Sequence, residues 1–286
     1  MLDVASRSVD PAVQAQAWRV EFVEDPAAPT EGVETIEIEE PRKVTAALAP
    51  VAASVALSET EPETAGALTV VWLSSGVKTP AAIEREADEW LRAGGARRRE
   101  ANVRADVRTV RVLWGENRAL IYASPGDIRL ALDATIRFAL VQREALALEA
   151  TMKSAWASID ADSALTHSVS RRHQKLQRHV NEMTELSTRM RADWLRIANA
   201  LEQLDPAIAE ASKRVFAELV NGAALYDRME MLEDPIEFAM DQYELANTRL
   251  IEANLAYKER INALVGHVFE VAIIALLGYQ IVHFLK

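Results

Sequence analysis

Asn262, Gly266 and Glu270 stand at i, i+4 and i+8 inside a run of apolar residues, and His267 lies three positions before Glu270. On an α-helix that spacing puts the three on one face, with His267 beside it. An ionisable side chain in hydrocarbon costs several kcal/mol unless it is paired, protonated or turned toward a protein or aqueous interior. The face is therefore expected to meet another helix, Gly266 permitting close approach and the polar groups bonding across the contact. Gln280 and His283 form a second polar pair, i to i+3, near the far end of the run.

Other residues of reactive type point less clearly to chemistry. His167, His173 and His179 recur every six residues. Six residues turn a helix by about 240°, so the three point in different directions and a metal site is not expected. Arg171, Arg172, Lys175 and Arg178 fall in residues 163–181, which hold no acid. This basic patch is either a solvated helix face or a dock for anionic lipid headgroups or RNA. Arg97, Arg98, Arg99, Arg104, Arg108 and Arg111 form a second basic group, with Glu100 and Asp106 interspersed.

No catalytic signature accompanies them. The chain contains no GxxxxGK[ST] loop, GxGxxG, HExxH or GxSxG, so neither enzymatic activity nor a cofactor is expected. With no cysteine, disulfides, thiolate metal sites and cysteine nucleophiles are excluded. The formal charge of −11 disfavours a generic nucleic-acid binder, whose affinity comes from neutralising phosphates. Residues 21–40 carry eight acids and no lysine or arginine.

The element that holds the first group of residues is an apolar run over 261–285, in which Glu270 is the one charged side chain. As a helix it measures about 37 Å, enough to cross a hydrocarbon core of about 30 Å with some tilt. Arg249, Lys258 and Arg260 precede it and Lys286 follows. Positive flanks stay on the cytoplasmic side, so the large N-terminal part is expected to be cytoplasmic and the C-terminus to reach the far face. Residues 1–11 lack an apolar core and include Asp3 and Asp10, which is not the pattern of a signal peptide. The expectation is a tail-anchored membrane protein.

Upstream, the first half alternates strand and helix signals. Strands are expected at 18–23, 33–39 and 68–73, and a hairpin joins 107–114 to 118–122 across Gly115, Glu116 and Asn117. Helices are expected at 41–57, opened by Pro41, and at 80–92, closed by Gly94 and Gly95. From Asp127 onward apolar residues recur at helical spacing. Four helices are predicted at 127–159, 163–204, 206–232 and 235–285, Asp205-Pro206 and Asp234-Pro235 marking two starts. The fold class is thus a small α+β domain (1–124), a long-helix bundle or coiled-coil stalk (125–260) and one C-terminal transmembrane helix (261–286).

The segment from Tyr243 to Asn254, followed by His267, Glu270, an aliphatic run and Gln280, resembles the C-terminal signature of the "required for meiotic division" membrane proteins. There a Tyr and an Arg-x4-Asn pattern precede one anchor that opens Leu-Glu-Trp, with a second Glu ten positions on. Arg249 to Asn254 matches the Arg-x4-Asn spacing, Glu270 the first Glu, and Gln280 replaces the second; Phe269 and Val271 stand where Leu and Trp would be. The resemblance covers roughly residues 234–285. It implies a single-span protein without an established enzymatic activity, whose mitochondrial relatives are inner-membrane oligomers supporting translation of organellar messages. For a bacterial relative it implies a self-associating scaffold or tether at the inner membrane.

The functional expectation is a homo-oligomer holding a protein or anionic-lipid partner at the bacterial inner membrane. The layout also looks like that of CorA-type magnesium channels, but the two spans and Gly-Met-Asn loop of those proteins are missing. An oligomeric ion channel with Glu270 facing the pore is the first alternative. A membrane tether for RNA or ribosomes, working through Arg171 to Arg178, is the second.

Overall fold

The computed structural model of the chain describes residues 15–24, 33–58, 67–75, 85, 87–91, 103–166, 176–203 and 208–284. Seven strands form one sheet: β1 (Ala15–Val23), β2 (Glu34–Ile38), β3 (Val44–Val51), β4 (Leu68–Ser74), β5 (Val103–Val107), β6 (Val110–Gly115) and β7 (Arg118–Ala123). Their order is β2-β3-β1-β4-β7-β6-β5. All neighbours are antiparallel except β4 and β7, which pair in parallel from Thr69↔Arg118 to Ser74↔Ala123. Short helix α1 (Ala53–Ser58) follows β3, and residues 87–91 are helical. Long helices complete the chain: α2 (Ile128–Ala161), α3 (Gln177–Glu202), α4 (Glu210–Gly222) and α5 (Leu225–Phe284).

Central strand β4 reads LTVVWLS and is buried along its whole length, because both faces of the sheet are covered. On one face Ala17, Val71, Leu73 and Leu120 cluster with Ala56 of α1 and with Ala87, Trp90 and Leu91. On the other, Trp114 meets Phe138 of α2 edge to face, with ring centroids 5.1 Å apart. Such a pair adds about 0.5–1.5 kcal/mol to the burial of its area. Arg143 of α2 lies 5.8 Å from the Phe22 ring. Edge strand β5 is covered by α4, which Ser212 ties to α2 by donating to the Leu130 carbonyl at 3.0 Å.

Turn chemistry places β6 and β7 as expected: Gly115 pairs with Arg118, and Asn117 takes the left-handed conformation at φ 57°. The preceding strand was not separated in the sequence reading. β5 pairs with β6 across a turn at Arg108, also left-handed at φ 53°. Gly115 has a further role, since a Cβ there would stand 2.9 Å from the Leu91 carbonyl oxygen. Gly115→Ala is expected to push the 87–91 helix off the sheet and cost about 1–3 kcal/mol, read as a lower unfolding midpoint in denaturant.

Further expectations are corrected. Residues 41–57 do not form one helix: 44–51 is strand β3, hydrogen-bonded to β1 and β2, and only Ala53–Ser58 is helical. The alanines favour a helix intrinsically, but Val44, Ala46 and Leu48 alternate into the core, and burial at period 2 overrides propensity. Pro50, in the middle of the expected helix, is the residue that argues against it. It sits beyond Leu48, where pairing with β2 ends, so its missing donor breaks no β2 bond.

Asp234-Pro235 does not open a helix either, because Pro235 lies inside α5. An interior proline costs about 3 kcal/mol. Leu225, Met229, Ile236, Ala239, Tyr243, Ala246 and Leu250 are buried at alternating three- and four-residue steps, broken only at the half-buried Leu232. Burying such a seam at about 0.8 kcal/mol per CH₂ outweighs the proline. Residues 162–166 form a 3-10 turn and α3 starts only at Gln177, whereas a start at 163 was expected. The predicted 206–232 helix is broken after Gly222, where Ala224 turns left-handed at φ 49° before α5 begins; its predicted start at Pro206, and most of the predicted 80–92 helix, lie outside the described residues.

The chain divides into two compact units, Met1–Ala150 with Ala192–Glu233, and Thr151–Arg191 with Asp234–Lys286. In the first, the helices are tied by Trp194 Nε1 donating to the Met229 carbonyl at 2.8 Å and by a 2.7 Å ion pair between Arg228 and Glu149. In the second, Gln242 Nε2 donates to the Ile159 carbonyl at 2.6 Å.

Candidate membrane-inserting segment

α5 changes character along its length. Its seam is buried as far as Leu250, whereas every residue from Lys258 to Gly278 is exposed. This is the one described helix long and apolar enough to cross a membrane, and none of its apolar window is buried within the protein. Ile261, Leu264, Val268, Phe269, Ile274 and Leu277 are among the large apolar side chains left uncovered. A contiguous surface of this kind is rare on soluble monomers and marks a protein or membrane contact.

Within it, helical geometry brings Asn262, Gly266 and Glu270 to one side. His267 Nδ1 lies 3.2 Å from Glu270 Oε2, so the two ionisable groups of the stripe are already partners. A Cβ on Gly266 would meet nothing within 4 Å, leaving the backbone there open to a close neighbour. The side chains of Gln280 and His283 lie outside the described residues.

The basic groups are dispersed or neutralised where they are described. Arg178 is exposed and pairs with Glu182 at 2.8 Å, while Arg171, Arg172 and Lys175 lie outside the described residues. In the second group, Arg104 and Arg111 both bond the carboxylate of Asp106, Arg111 at 2.7 Å. Partial desolvation opposes ionisation of Asp106, but the two guanidinium bonds and charges outweigh it and hold the carboxyl below its usual range. Arg97, Arg98 and Arg99 lie outside the described residues.

No family model matches this chain, and no curated protein does.

Among the described residues, the most connected polar site joins side chains that no motif of the sequence groups together. Tyr243, fully buried in α5, donates its hydroxyl to Asp162 Oδ2 at 2.9 Å, and His179 Nε2 lies 2.7 Å from the same oxygen. One turn on, Gln177 Nε2 donates to Asn247 Oδ1 at 2.8 Å. The 3-10 turn after α2, the start of α3 and the middle of α5 are thereby fastened together. Burial, then the bond and charge of Asp162, push the Tyr243 phenol well above its usual range. His179 was visible as one of three spaced histidines, and Tyr243 and Asn247 belong to the segment carrying the family resemblance. Nothing in the sequence marked Asp162. His167 and His173 lie outside the described residues, and no described group of His, Asp and Glu is placed to hold a metal ion.

A cavity of about 370 Å³ opens between β2, α2 and the start of α4. Its two arginines are each matched by an acid: Arg129 pairs with Glu34, and Arg137 with Asp133 at 3.0 Å. An incoming anion would have to displace a carboxylate from either one.

Proposed function

We propose that the protein is a single-span, non-enzymatic membrane protein that self-associates and presents its sheet domain on the cytoplasmic side as a scaffold or tether. The observation that carries this reading is the uncovered apolar length of α5 with its His267–Glu270 bond at 3.2 Å. Apolar surface without a protein partner is suited to lipid, and a polar stripe within it is suited to a second helix. Orientation rests on Arg249, Lys258 and Arg260 preceding the apolar run. The resemblance to the "required for meiotic division" family over residues 234–285 agrees with a single-span oligomer of the inner membrane, and the family assignment is part of the proposal.

A pore around Glu270 is the competing reading. A carboxylate already bonded to a histidine on its own helix is a poorer ion ligand than a free one, which favours helix contact over conduction. The reading is tested by the mass of the protein in detergent or nanodiscs, determined by light scattering. Glu270→Leu is expected to weaken self-association about tenfold, the loss of one interhelical polar contact. An unchanged oligomer, or a wild-type monomer, would overturn assembly through this face.

A further inference from the structure

Outside the apolar segment, α5 carries another face that the described residues leave exposed. In the unit formed by Thr151–Arg191 and Asp234–Lys286, the side of α5 bearing Ile236, Ala239, Tyr243, Ala246 and Leu250 is buried. The opposite side bears Asp234, Glu237, Asp241, Glu244, Glu252 and Glu259, all exposed. At about 100° per residue these six fall within an arc of about 80° that contains no lysine or arginine. Along the margin of this ridge stand Phe238 and Leu245, 52% and 43% exposed, and Trp156 of α2, 46% exposed, lies against Phe238. The Trp156 and Phe238 rings touch, with centroids 6.3 Å apart and planes tilted by 42°.

Charge and apolar anchors together restrict what fits here. Exposed tryptophan and phenylalanine rings are the kind of anchor that dominates helix–helix recognition. Asn262, Gly266 and Glu270 lie on this same side of α5, so copies joined there must diverge above the span, and a second copy is a poor occupant of the stretch from Asp234 to Glu244. Spans inserted with one orientation bring identical residues to the same height, so acid would face acid. Anionic headgroups are disfavoured for the same reason. A helix with an apolar stripe flanked by lysines and arginines satisfies both features, laying its stripe on Trp156, Phe238 and Leu245 and its cations along the acids.

We propose that this face of α5 docks a basic amphipathic helix of another protein, which would be the cargo of the tether. The inference rests on the tether reading above and gives that partner a chemistry.

The test uses the full chain in nanodiscs of zwitterionic lipid, with a fluorescently labelled amphipathic helical peptide built from leucine and lysine as the probe. A leucine–glutamate peptide and empty nanodiscs serve as controls, and binding is read by fluorescence anisotropy. The Leu/Lys peptide is expected to bind saturably above empty discs, and the Leu/Glu peptide to fail. Asp241→Lys with Glu244→Lys is expected to weaken binding about tenfold or more, and Trp156→Ala with Phe238→Ala to do the same. All four positions are exposed or half-exposed, so the fold should survive, and an unchanged far-UV circular dichroism spectrum verifies it. Binding no greater than to empty discs would overturn the proposal. So would binding that responds to the charge reversals but not to loss of the two rings, since that is attraction without a docking surface. Light scattering on the same samples separates this outcome from the self-association reading: the oligomer mass is expected to be unaffected by all four substitutions. A fall in mass would instead make a second copy the occupant and overturn the basic-helix proposal.

Discussion

Deleting residues 261–286 is expected to move the protein from the carbonate-resistant membrane pellet to the supernatant. Ile261, Leu264, Val265, Val268, Phe269, Val271, Ile273, Ile274, Leu276 and Leu277 are all apolar. At about 0.3–0.6 kcal/mol each, such residues favour insertion by about 3–6 kcal/mol, against about 2.5–3.5 kcal/mol for a charged carboxylate at mid-helix. The balance is narrow if Glu270 enters as a bare anion, and comfortable if it enters bonded to His267, as it is here at 3.2 Å. Glu270→Leu should therefore insert at least as well as the natural sequence while assembling less well, so the deletion and the substitution separate anchoring from association. A shortened chain that still pellets would show that the sheet domain or the basic groups bind membranes themselves.

Tyr243→Ala is expected to destabilise the Thr151–Arg191 and Asp234–Lys286 unit by about 3–5 kcal/mol, the cost of emptying a fully buried aromatic site. The same substitution removes one of the two groups bonded to Asp162 Oδ2. Tyr243→Phe keeps the ring and should cost about 1–2 kcal/mol, the value of a buried hydroxyl bond to a carboxylate. Thermal unfolding followed by tryptophan fluorescence distinguishes the two. The phenol also dictates an alkaline limit. Its folded pKa lies above the unfolded value of about 10. The stability it confers is therefore complete below about pH 10 and is lost as the pH rises beyond, because only the unfolded chain can then release the proton. Tyr243→Phe should flatten that decline, and an equal decline in both proteins would remove Tyr243 from the account.

Local pattern sufficed wherever a single physical requirement dominated the residues. Continuous apolar character fixed β4 and alternation fixed β2, each within a residue, and turn chemistry at Asn117 fixed the β6–β7 turn, although β6 begins three residues later than expected. Residues 261–285 are legible for the same reason, because a run that long and apolar has few other uses. Where requirements competed, the tertiary structure decided. Alanine favours a helix at 44–51, yet pairing on both edges made that segment β3. Pro235 favours a helix start, yet a seam buried on both sides of it carried α5 through.

The polar stripe shows both cases in one helix. Spacing alone put Asn262, Gly266 and Glu270 on one face, since residues on a single helix are related by a fixed rotation. The Asp162–His179–Tyr243 junction was beyond reach, because it joins positions seventeen and eighty-one residues apart along the chain. No periodicity relates residues on three different helices. Their meeting is decided by how α2, α3 and α5 pack, and packing depends on side chains that are distant in sequence.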